Sequence, residues 1–114
     1  MYKYKIIWSK FSEQQIDEIY EFYKVRVSIQ LSKKIVRKIL LAPDILIKNP
    51  NMGAKEVMLS NRQIGYRYII TTNYKIIYSV NKTDKLIKIA DAFDTRQNPT
   101  KLKERIKQKY SINK

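Results

Sequence analysis

The sequence predicts an α+β fold in a single domain over residues 1–114, on three observations. A short alternating segment opens the chain, two stretches of helical period follow it to about residue 48, and beyond residue 66 the apolar period becomes two. Helices and strands segregated in this way indicate a twisted sheet with the helices packed on one face and the other face open. With only 2 Gly and 3 Pro there is little room for a linker or a second domain.

Residues Tyr2 to Trp8 alternate Tyr and Lys before Ile6-Ile7-Trp8, the pattern of a strand solvated on one face at its start and more fully buried at its end. Ser9 is a helix N-cap, and Ser12-Glu13-Gln14-Gln15 has the Ser-x-x-Gln form of a capping box, so a helix begins between them. Its apolar stripe is Ile16, Ile19, Tyr20, Tyr23 and Val27. A second amphipathic stretch runs from about Ser28 to Lys48 through Leu31, Ile35, Ile39, Ala42 and Leu46, and the short connection makes the pair an antiparallel helical hairpin. Pro43 lacks the amide a helix interior needs and predicts a break near Ala42.

Asn49-Pro50-Asn51-Met52-Gly53 has the residues of a turn that ends the helical region. A short strand is expected around Val57 to Leu59. Tyr66 to Thr72, Tyr74 to Val80 and Leu86 to Phe93 are rich in Ile, Val, Tyr and Thr and are joined by brief polar turns, an antiparallel meander. After Pro99 the chain is polar and basic, with Leu102, Ile106 and Tyr110 four residues apart, a short basic C-terminal helix docking by one narrow stripe.

Composition limits the function classes. There is no Cys and no His, which removes disulfides and the usual zinc ligand sets, and no metal or other cofactor is expected. No run approaches the ~20 apolar residues of a membrane helix, and the N-terminal residues lack the apolar core of a secretory signal, so the chain is expected to remain cytoplasmic and off the membrane. The 24 Lys and Arg against 10 Asp and Glu leave a net charge of +14. A charge of that size attracts polyanions or an acidic protein, whereas a few lysines would serve solubility alone. The 9 Tyr could stack on bases, but most stand at core spacings, where a half-buried packing role with a wet hydroxyl explains them.

Several local strings fall together in one order: Ile7-Trp8-Ser9 before a helix bearing Asp17-Glu18-Ile19-Tyr20 and Tyr23; Asn49-Pro50 with Gly53; Tyr66-Arg67-Tyr68-Ile69-Ile70 with Tyr74-Lys75-Ile76-Ile77-Tyr78; and Phe93-Asp94-Thr95-Arg96-Gln97-Asn98-Pro99. Together they resemble the RelE/ParE superfamily, the toxins of type II toxin–antitoxin systems, over nearly the whole chain. The resemblance implies a toxin silenced by an acidic antitoxin. In its ParE-like branch the target would be DNA gyrase, and in its RelE-like branch the toxin would be an endonuclease cutting ribosome-bound mRNA.

By position in the family pattern, Arg67, Lys75 and Arg96 are the residues for target binding, and for catalysis if the chain is a nuclease. In that role Arg67 and Arg96 would clamp the phosphate, while Lys75 falls where RelE-like nucleases carry an essential basic residue. RNA cleavage through the 2′-OH also needs a base and an acid. RelE-like nucleases place a Tyr or His a few residues after the last-strand Arg, but here that stretch is Gln97-Asn98-Pro99-Thr100-Lys101-Leu102. The missing acid, the absence of His and the long helical hairpin favour the ParE-like branch. The structural alternatives are a solvated strand position for Lys75 and an ion pair with Asp91 or Asp94 for Arg67. A nucleic-acid-binding module without toxic activity also fits the charge, but leaves the family strings unexplained.

Overall fold

Two serines start the long helices by the same device. The Ser9 hydroxyl accepts the Ser12 amide at 3.0 Å and the Ser28 hydroxyl accepts the Leu31 amide at 3.1 Å, satisfying donors that a first helical turn leaves open. The computed structural model describes residues 3–60 and 64–108, with side chains described through residue 105. Strand β1 (Lys5–Trp8) leads into α1 (Lys10–Arg26), α2 (Ile29–Leu41) and a 3-10 turn at Ala42–Leu46. After a second such turn at Pro50–Met52 come β2 (Ala54–Lys55), a third turn at Val57–Leu59, β3 (Arg67–Thr71), β4 (Tyr74–Asn81), β5 (Leu86–Asp94) and α3 (Lys101–Gln108).

The α+β class, the helical hairpin and the three long strands stand as the sequence predicts. Pro43 does end the regular helix: α2 stops at Leu41, and the tighter 3-10 turn carries Leu46 on into the core. In α1 the stripe is shorter than expected. Ile16 and Ile19 are buried, but Val27 is 62% exposed, because it is already the C-cap and has left the helical path.

Two strand expectations are corrected. Val57–Leu59 is a 3-10 turn, and the short strand lies just before it at Ala54–Lys55. The cause is Glu56, whose carboxylate accepts the Met58 amide at 3.2 Å and bends the chain there. In β1 burial alternates to the end and Ile7 stays 45% exposed, because it points away from the helices, beside the exposed Lys88, while Ile6 and Trp8 pack under them.

The sheet order is β1-β5-β4-β3-β2. β1 runs parallel to β5, and the remaining pairs are antiparallel. On one face, α1, α2 and Leu46 pack on Tyr74, Ile76, Tyr78, Ile87 and Ile89. The other face is not fully open as expected. Leu59 and Leu102 seal Ile77 and Phe93 in a second cluster with Phe11, so the 57–59 turn and α3 cover that part of it. Leu102 is fully buried, as the narrow stripe requires; the Ile106 side chain and Tyr110 lie outside the described part. No described helix is long and apolar enough to cross a membrane.

Candidate functional site

The three basic residues singled out in the sequence are held in three different settings. Strand register decides the first separation. Arg67 lies opposite Tyr78, on the helix-covered face, whereas Lys75 lies opposite Ile70, on the other face. Arg67 donates from Nη1 to the Gly53 carbonyl at 2.7 Å, tying β3 to the chain just before β2. Neither Asp91 nor Asp94 is its partner, since the first meets Arg105 and the second Arg96.

Lys75 is not a solvated strand residue. Its Nζ stands 2.8 Å from Glu56 Oε1 and 4.2 Å from the centre of the Tyr68 ring, and the Glu56 side chain is only 1% exposed. Burial weakens the screening that makes surface pairs cheap to break, so the lysine is committed to neutralising this carboxylate.

Arg96 is the exposed member, at 59% of its side chain, and stands just beyond β5 on the helix side. The two-residue β3–β4 connection builds its support. Thr95 donates to the Asn73 carbonyl from its amide at 2.8 Å and from its hydroxyl at 2.9 Å, and Asn73 Nδ2 donates to Asp94 Oδ1 at 3.1 Å. Asp94 then accepts Arg96 Nε at 3.0 Å and Nη2 at 2.8 Å, a two-pronged pairing that fixes the guanidinium plane. The guanidinium also reaches the Tyr23 hydroxyl at 3.4 Å, which receives the Tyr74 hydroxyl at 3.3 Å.

Electrostatics follow from these contacts. The Arg96 hydrogen bond holds the Asp94 carboxyl below its ordinary value of 3.8, against an opposing push from partial burial. Asp94 in turn raises the Arg96 guanidinium, and burial together with Tyr23 pushes the Tyr74 hydroxyl well up. These directions leave Asp94 and Arg96 charged and Tyr74 neutral at neutral pH, so none of the three is a proton donor or acceptor tuned to that range. Arg67 lies opposite Tyr78, and Asp94, which braces Arg96, lies opposite Tyr74, four residues or roughly 13 Å along β4, with β3 and β5 on either side of it. Lys75 is on the other face of the sheet. The three therefore do not surround one phosphate.

Sequence reasoning missed Glu56, Arg105 and Tyr23 as partners. Arg105 Nη1 meets the buried Asp91 at 2.6 and 2.8 Å, and its guanidinium lies over Phe93 and Phe11. Asp91 gave a signal, an acid in the otherwise apolar run from Ile89 to Phe93, which needs a cation once buried. Glu56 and Tyr23 gave none, since their partners come from distant strands. None of the seven described tyrosines is exposed, in keeping with packing roles. Among the described residues no group of His, Cys, Asp and Glu is arranged to hold a metal ion.

A family model described as the ParE toxin of the type II toxin–antitoxin system parDE matches residues 6–109. None of the curated proteins matches in sequence. Among solved structures, the chain is similar to one from the chromosomal ParDE TA system of P. aeruginosa, with a TM-score of 0.65 and 22% identity, over 80% of this chain and 95% of that one. At that identity the likeness is one of fold.

Proposed function

The chain belongs to the ParE toxin family of type II toxin–antitoxin systems, and we propose that it arrests growth in the cytoplasm by binding DNA gyrase rather than by cutting RNA. The observation that carries this reading is the placement of Arg67 and Lys75 on opposite sheet faces, each already engaged by Gly53 or Glu56. A nuclease would need them free and convergent on one phosphate, together with a proton donor and acceptor. A protein target needs only a rigid, exposed anchor. Arg96 suits that role, being braced by Asp94 and Asn73 on a strand end with most of its side chain in solvent.

An antitoxin follows from the family, and the chemistry suggests its charge. With +14 on 114 residues, an acidic partner gains both steering and contact energy on this surface. Inducing the chain in cells tests the target: DNA breaks should precede any loss of message. Immediate codon-phased mRNA cleavage with intact DNA would reverse the proposal and return Arg67, Lys75 and Arg96 to a catalytic role.

A further inference from the structure

The two hairpin helices carry opposite charge. α1 has four acids, Glu13, Asp17, Glu18 and Glu21, against three bases, whereas α2 has Lys33, Lys34, Arg37 and Lys38 and no acid. All eight of these charged side chains are exposed. On α2 this carries an intrinsic cost. Lys33 with Arg37 and Lys34 with Lys38 are like charges four residues apart, which destabilise a helix, and no acid in its first turn complements the helix dipole. The α1 helix meets the dipole rule with Glu13 in its first turn, but Glu13, Asp17 and Glu21 are likewise acids four residues apart, relieved near its end by the Glu21–Lys24 pair.

Apolar side chains stand among these charges. Opposite the buried Ile16 and Ile19, α1 shows Val25 at 76% exposure, beside Phe22 at 42%; with the acids Asp17, Glu18 and Glu21, and with Arg26 stacked over the Phe22 ring, they line a shallow dish. Opposite the buried Ser32 and Ile39, α2 shows Leu41 at 57% between Lys34, Arg37 and Lys38. One helix thus offers an apolar strip edged by three acids and, at its end, Arg26, and its neighbour an apolar strip edged by bases alone.

We propose that this outer hairpin face binds a second copy of the chain, so that α1 of each protomer lies on α2 of the other. A two-fold axis between the hairpins makes that pairing twice, and the contact is self-complementary. The acidic strip would find its match in the α2 strip of the other copy, and the like-charge cost within α2 is offset once carboxylates face it. The net charge of +14 opposes association at long range, but at physiological salt that repulsion is screened beyond about 8 Å, whereas the facing rows meet at contact distance.

The test is the mass in solution of the purified full chain by light scattering, at physiological and at high salt, where the long-range repulsion is screened in both. The proposal predicts a dimer whose dissociation constant rises at least tenfold with salt. Glu18→Lys with Glu21→Lys, and separately Lys34→Glu with Arg37→Glu, should each give folded monomers by circular dichroism. Mixing the two variants should restore association as a heterodimer, since both α1–α2 contacts are then acid–base again, one with the native signs and one with the signs exchanged. A wild-type monomer at all salts, or folded variants that remain dimeric, or a mixture that stays monomeric, would each overturn it.

Discussion

The Tyr78 hydroxyl accepts the Gly53 amide at 2.9 Å, and Gly53 has no room for a side chain beside it. The same hydroxyl donates to the Pro50 carbonyl at 2.7 Å, so one buried tyrosine closes the turn that precedes β2. A Cβ at residue 53 would stand 2.6 Å from the Tyr68 carbonyl oxygen, which is backbone and cannot swing away. Gly53→Ala is therefore expected to cost about 1–3 kcal/mol, as overpacking does. Tyr78→Phe should cost a similar amount, about 1–3 kcal/mol, by leaving the amide and carbonyl without this partner. Urea unfolding of both variants measures this; a wild-type midpoint would show that the turn does not depend on the contact.

The buried Asp91 makes α3 part of the fold rather than a tail. Removing the guanidinium in Arg105→Ala leaves the carboxylate without this cation and should cost roughly 3 kcal/mol, as breaking a buried pair does. Hydrogen exchange of the α3 amides should accelerate in step. Unchanged exchange would mean that Leu102 alone anchors the helix.

Asp94 predicts a specific acid sensitivity. Its folded-state value lies below the ordinary 3.8, so its contribution to stability is present above that pH and is lost as the pH falls through the lower folded value. Thermal melts of wild type and Asp94→Asn should differ at neutral pH and converge as the pH drops well below 3.8. A gap independent of pH would place the effect in something other than the carboxylate charge.

The Lys75–Glu56 pair separates structural from catalytic importance. Lys75→Met should destabilise by stranding Glu56 in the protein interior, and Glu56→Gln in the same chain should recover most of the loss. The double variant should then still stop growth. A stable double variant without toxicity would point back to a chemical role for Lys75.

How much of this was legible in the sequence depended on range. Ser9, Pro43 and the alternation of Tyr74 to Val80 act over a few residues, and the helices, the break and the strands they imply are present. Glu56 misled for the opposite reason. Val57-Met58-Leu59 reads as strand, but the carboxylate before it caps a turn and is held by Lys75, which lies 19 residues later. Family pattern placed Arg67 and Lys75 on strands and Arg96 just after one, but which face each side chain takes depends on cross-strand register. That register, including the irregularity at Ile77 and Tyr78, emerges only when the strands pair.

The most direct test of the central claim is supercoiling by purified gyrase with added purified toxin, in the absence of ribosomes. Inhibition is expected with wild type. It should weaken with Arg96→Ala, an exposed substitution that should leave the fold within about 1 kcal/mol of wild type. Full supercoiling at saturating toxin, together with toxin-dependent cuts in ribosome-bound mRNA, would contradict the account.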